Sequence, residues 1–430
     1  MKRIHWLIPH QLAWAGRVKS PFVSDEARGP GKRKSLWLSL PLHLALVAGI
    51  CSCAGPRHQY WIGYSDKRCD DPRGQFYNGR TQRAMIVRAD GTDRHEVGTS
   101  LIRDENSWTQ FVRWWPDGRV VLSAAWESPE NADWEHEHKT FRFDKGGWLT
   151  DVCLVDVDTG KILNLSAVER ISHWNAGMSP WPGDNARVSF VAMVDGASRP
   201  FIMGLDGRNK RQLVSGEGKF VYGVQLSPDG RRMAYLLEYK LYLSDADGSN
   251  ARRVDLDREH EFQFAPAWSP DGRWLEFLAG KHYDCHPYLV SADGARLRKL
   301  ADRGGYPGVI EVLDYPDFHS DSSDVPVWSP DSRWLYYTAK VGEAVELMRV
   351  SPEGQVQQLT HSKSGSLHYH PQVSPDGRLV VFGSTRDGAR ALYVADADGG
   401  HIKAVTVPQR GRAQMWANWR MDVPVAKNSR

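Results

Sequence analysis

Two recurring tight turns, joined by aromatic and β-branched runs, predict an all-β ring: a single β-propeller of seven four-stranded blades. The first turn reads LSPDGR at 226–231, WSPDGR at 268–273, WSPDSR at 328–333 and VSPDGR at 373–378. Weaker copies stand at Trp115–Gly118 and Trp419–Asp422, and a broken one lies across Ser179–Arg187. The second turn reads RADG (88–91), DVDTG (156–160), GLDG (204–207), DADG (245–248), SADG (291–294), SPEG (351–354) and DADG (396–399).

Each first turn has a mechanism. Ser can bond its own backbone, Pro presets φ, Asp tolerates the third position and Gly takes the φ that other residues resist. Ser332 replaces that Gly in one copy, so the sequence predicts a slightly strained turn there. The runs that follow, MAYLL (233–237), WLEFL (274–278), WLYYT (334–338) and LVVFG (379–383), read as strands.

The spacing builds the blade. From first-turn Asp to second-turn Gly is 23 residues in four units, as from Asp271 to Gly294. Strand, turn, strand, loop, strand, turn, strand is one propeller blade. The phase at the ends predicts closure. Met415–Asp422 supplies the innermost strand of a blade whose other three strands come from about 60 to 97, which removes the exposed edges of an open array. Six blades is the alternative count if the 179–187 copy or the terminal copy is no true blade. The domain reading is 1–53 as an export region, 54–425 as the propeller and 426–430 as a tail.

The 430 residues carry 55 basic and 52 acidic side chains, a net charge of +3. That balance, with no nucleic-acid fingerprint, argues against a DNA or RNA partner. Lys32–Lys34 precede an apolar run from about Leu36 to Ile50 that is too short, and too broken by Pro41 and His43, to span a membrane. It fits a secretory h-region, and the long stretch before it reads as an early start codon or an extended n-region. The following ICSC resembles a lipobox with Cys53 as the lipidated residue; an ordinary cleaved signal is the alternative. The chain is thus expected in the periplasm or outer membrane of a bacterium, a monomer touching membrane only through a lipid anchor. Cys69, Cys153 and Cys285 are odd in number and lack metal spacing, so they read as buried thiols.

Three insertions break the regular spacing and mark the candidate functional surface: Cys69–Arg80, Glu127–Thr150 and Ala301–Phe318. The run Trp134–His138 in the second reads as a solvated acidic and histidine face. Histidines also cluster ahead of the inner strands: His173, His260, His319, His368 and His370. His368 and His370 are two apart and by strand alternation face one side. His319 from the preceding blade, with Asp324 beside it, completes a candidate divalent metal site suited to Mn or Zn. The alternative is that these side chains bond backbone or channel water. His173, Asp324 and Trp416 are candidate funnel residues for ligand.

The Asp-rich second turns lack the loop length and terminal Glu of a calcium-binding hand and read as hairpin turns. No Gly-x-Ser-x-Gly and no further α/β segment of hydrolase length after the propeller is present, which argues against a propeller-gated peptidase, and no phosphate-binding Gly-x-x-x-x-Gly-Lys loop appears.

The WSPDGR repeats with DADG turns, over about 100–425, resemble the TolB-like propeller repeat family. That resemblance implies an exported ring whose funnel and loops bind an envelope protein or a saccharide. TolB itself has six blades and a separate N-terminal domain. A second resemblance lies in LHYHPQVSPDGRLVVFGSTRDG (367–388), which is similar to the His-x-His-Pro segment of oligogalacturonate lyases. Those are seven-bladed and hold a divalent metal, usually manganese, that acidifies a uronate substrate. The resemblance implies His368 and His370 as ligands, with His319 as a further one. The family's Gln three residues before the first His is Gly365 here. Two functions follow as expectations: a binding or scaffold propeller of the envelope, or a metal-dependent lyase on acidic saccharides with His260 as its base.

Overall fold

A computed structural model describes residue 57 and residues 59–421 apart from 74, 128–147, 166–178, 195–196, 217–219, 257–261, 282–283 and 306–323. The candidate residues Cys53, His173, His260 and His319 lie outside the described residues, as do Cys51, His136, His138 and Asp422.

The described residues form seven antiparallel sheets of four strands. We number the blades in chain order. Blade one takes Tyr60–Arg68, Arg83–Arg88 and His95–Glu96 from the N-terminal side. Its innermost strand is Arg412–Met421, paired antiparallel with Tyr60–Arg68. The inner strands of blades two to seven are Ser107–Trp114, Ser179–Trp181, Val221–Leu226, Phe262–Trp268, Val327–Trp328 and His368–Val373. The weak 179–187 copy is therefore a true blade, and the count is seven.

The first turns behave as their sequence requires. Ser227 Oγ donates to Asp229 Oδ1 at 2.6 Å and accepts the Arg232 N–H at 2.9 Å. The same pair of bonds recurs at Ser269, Ser329 and Ser374. Ser332 holds φ 60 in the left-handed region, as expected of a residue standing in for Gly. A compensation goes with it: its hydroxyl accepts the Asp271 N–H of the preceding blade at 3.0 Å.

The core is divided among the spaces between blades. Blades four and five share Leu236, Leu241, Leu275, Phe277 and Trp268, all buried. The residue before each first turn faces a neighbour. Trp268 Nε1 donates to Gln225 O and Trp328 Nε1 to Ala267 O, both at 3.2 Å. Trp419 Nε1 donates to Gln372 O at 2.8 Å, and Trp114 Nε1 to Asn418 O at 3.1 Å. Each accepting carbonyl lies two residues after a left-handed residue in a β-bulge of the inner strand: Gly223, Ala265, His370 and Trp416. The bulge turns the strand so that the carbonyl meets the next blade's indole.

Topology also sorts the loops. A four-stranded meander puts both tight turns on one face, and puts the hairpin between its second and third strands and the link to the next blade on the other. The strand ends that bracket all three long insertions lie on this second face. We call it the insertion face.

Candidate functional site at the insertion face

His368 and His370 begin the inner strand of blade seven, close to the insertion face. Strand alternation would aim them together. The bulge between Tyr369 and Gln372, with His370 at φ 49, breaks that alternation, and the two rings part. This corrects the same-side expectation; the physical reason is the inter-blade carbonyl that the bulge must present.

His368 turns toward blade six. It is fully buried, its Nε2 lies 2.8 Å from Ser362 Oγ and 3.5 Å from Glu346 Oε2, and its ring meets Phe382 edge-on. Glu346 gathers further bonds: from the Thr360 hydroxyl, and from the Ser362 N–H at 2.6 Å and hydroxyl at 3.0 Å. Burial works to raise the Glu346 carboxyl. Hydrogen bonds from His368, Thr360 and Ser362 outweigh it and hold the group at about 2.

His370 turns toward blade one. Its ring stacks on Trp416, and its Nδ1 faces the Trp416 N–H at 3.4 Å. Its own N–H donates to Asp324 Oδ1 at 2.9 Å. Asp324 is buried, and its other oxygen takes Arg303 Nη2 at 3.3 Å and the Thr338 hydroxyl. Arg303 is equally buried and also donates to Thr338 O at 3.1 Å. Asp324 is thus committed to joining blade six to blade seven. Glu276, on the second strand of blade five, is fully buried near Arg303, and neither carboxylate oxygen has a hydrogen-bond partner among the described residues.

His368 Nε2 and both Asp324 oxygens are taken up in inter-blade bonds, His368 Nδ1 is buried without a hydrogen-bond partner among the described residues, and His370 faces away from His368. Among the described residues no three His, Cys, Asp or Glu side chains converge as a metal site. As placed, the described members do not assemble a metal site.

Sequence reasoning missed a second polar group, at the seam where the chain ends meet. Asp66 is buried and takes Arg94 Nη2 at 2.6 Å and Arg412 Nε at 2.8 Å. Lys67 beside it is buried. Cys69, expected as a buried thiol, is half-buried, with Arg390 Nη1 at 2.7 Å from its sulfur; Cys153 and Cys285 are buried as expected. The insertion that Cys69 opens carries a short helix, Gln75–Arg80, whose Tyr77 ring lies under the Arg73 guanidinium at 3.9 Å and the Arg80 guanidinium at 4.7 Å. The break in spacing at Cys69 was the only signal of this region in the sequence.

No known family profile matches the chain. Over 169 residues it is 25% identical to an oligogalacturonide lyase of Pectobacterium atrosepticum, covering 37% of this chain and 43% of that protein. Over 174 residues it is 28% identical to the Tol-Pal system protein TolB of Bordetella pertussis, covering 39% of this chain and 35% of that protein. The chain thus spans less than half the length of each of these two relatives. Among solved structures, a puromycin hydrolase aligns with a TM-score of 0.52 at 14% identity, over 81% of this chain and 52% of that one. The sequence matches make this a distant TolB-like and oligogalacturonate-lyase-like β-propeller relationship; the structural match speaks to the fold alone.

Proposed function

We propose that this chain is an exported binding or scaffold propeller of the bacterial envelope, receiving a saccharide or protein partner on its insertion face. One observation carries the reading: His368, His370 and Asp324, which a lyase would need for its metal, are taken up in contacts that hold blades six, seven and one together. These contacts give the three side chains a role in the scaffold, while His368 Nδ1 stays without a hydrogen-bond partner among the described residues, and the insertions remain as the surface that the scaffold does not explain. The h-region and Cys53 support export with a lipid anchor.

Photo-crosslinking in intact cells tests this. A photoreactive residue at Tyr77, on the insertion face, is expected to give adducts, and one at Asp247, in a second turn on the opposite face, to give none. Equal adduct yields from both would overturn the assignment of the face. The second reading, a uronate lyase, is favoured by the His-x-His-Pro segment at 368–371. Purified mature protein supplied with Mn2+ or Zn2+ and trigalacturonate is expected to form no unsaturated product. Turnover abolished by His368→Ala would replace the binding reading with the lyase.

A further inference from the structure

The chain enters the ring on the face of the tight turns, at the seam between blades seven and one. Arg57 Nη2 donates to His401 O at 3.0 Å and to Asp396 Oδ1 at 3.3 Å, and its Nη1 donates to Val394 O at 3.5 Å. These acceptors lie at the end of the third strand of blade seven and just past the second turn that follows it. Arg57 O accepts the Tyr60 N–H at 3.2 Å, and the Tyr60 hydroxyl donates to Asp376 Oδ2, in a first turn, at 2.6 Å. From this root Tyr60–Arg68 runs the height of the blade, nine residues that carry it about 26 Å to the insertion face at about 3.3 Å per step. Cys53 stands four residues before Arg57, and four residues fully extended reach about 14 Å. Whatever path they take, the Cys53 sulfur stays short of the insertion face. The strand ends that bracket the three long insertions all lie on that far face, so the turn face has no long loop to hold it off a plane.

We propose that the turn face is the membrane face: anchored through Cys53, the ring lies with its tight turns against the bilayer and presents the insertion face outward. The inference rests on the lipid anchor proposed above. Arg57 sets the orientation, because its bonds to blade seven fix where the tether begins and keep it short. The two faces then meet different partners. Lipid headgroups take the turn face, Asp247 included, and a soluble saccharide or protein meets the insertion face, held off the bilayer by the height of the ring.

The experiment uses the mature full chain, purified from membranes and reconstituted on vesicles of phosphatidylethanolamine and phosphatidylglycerol. A single fluorescent residue replaces Asp398, in the second turn of blade seven, Asp247, in the second turn of blade four across the ring, or Glu343, in the insertion-face hairpin of blade six; all three are exposed. A quencher carried on lipid headgroups is expected to quench the Asp398 and Asp247 probes alike, and both several times more than the Glu343 probe. Quenching at Asp398 that spares Asp247 would stand the ring on its edge, and quenching strongest at Glu343 would invert it. Either result overturns the orientation and leaves the anchor standing. Intact mass identifies the other failure: a mature chain whose Cys53 carries no acyl group loses the anchor, and the orientation falls with it.

Discussion

The imidazole of His370 stacks on the indole of Trp416, with ring centres 5.9 Å apart and planes inclined by 27°. The two residues occupy equivalent bulges in adjacent blades, at φ 49 and 53. Left-handed backbone resists β-branched residues most. His370→Val is therefore expected to lower stability by about 1–3 kcal/mol, and His370→Gly by less, because glycine relieves the backbone while losing the stack. Urea denaturation compares them; equal losses would mean that the ring contact alone sets the requirement.

Gly383, on the second strand of blade seven, lies beneath the Tyr369 ring. A Cβ there would sit 2.1 Å from the ring edge. Gly383→Ala is expected to cost about 1–3 kcal/mol through overpacking. Combining it with Tyr369→Leu should recover part of that loss, which a double-mutant cycle on thermal unfolding would read. Strict additivity would show that the two positions do not share the space.

Glu346 makes acid sensitivity a property of the interface between blades six and seven. Its folded carboxyl is held at about 2, below the ordinary 4.5. A depressed carboxylate contributes stability above its unfolded pKa and loses it as pH falls through the folded one. The parent should therefore lose stability between about pH 4.5 and 2 more steeply than Glu346→Gln. Urea midpoints across that window check this, and parallel slopes would argue against it.

Glu276 works in the opposite sense. Burial pushes its carboxyl well up, with Arg303 pulling against it. A carboxyl raised on folding penalises the folded state increasingly as pH climbs above its unfolded pKa. Glu276→Gln should therefore gain on the parent as pH rises from acid to neutral. A gain that does not change with pH would mean that the side chain does not titrate in the folded state.

Removing residues 412–430 deletes the innermost strand of blade one. Tyr60–Arg68 becomes an open edge, and Asp66 keeps Arg94 but loses Arg412. The shortened chain is expected to aggregate or to lose its cooperative unfolding transition. A monodisperse monomer with parent-like unfolding, by size exclusion and calorimetry, would show that the closing strand is dispensable.

The ring was legible because its signals are local. Ser227, Pro228, Asp229 and Gly230 specify a turn within four residues, and the repeat carries that turn around the chain at fixed spacing. The phase at Gly91 and Asp422 also foretold the closing strand, since strands must pair or leave an edge. The site was less legible, because alternation was the only guide to direction. A single bulged residue at His370 reverses it, and the cause lies in the neighbouring blade, at the Gln372 carbonyl that Trp419 must reach.

By itself, then, the sequence determined an all-β ring of seven units, the order of its strands and the three places where loops outgrow the repeat. Tertiary structure alone decided which side chains meet. His368 went to Glu346, His370 to Trp416 and Cys69 to Arg390, the last pair 321 residues apart in the chain. Turn chemistry acts between near neighbours and can be read along a line. Burial and charge act between blades, so the partners of a buried polar group follow from how the ring closes.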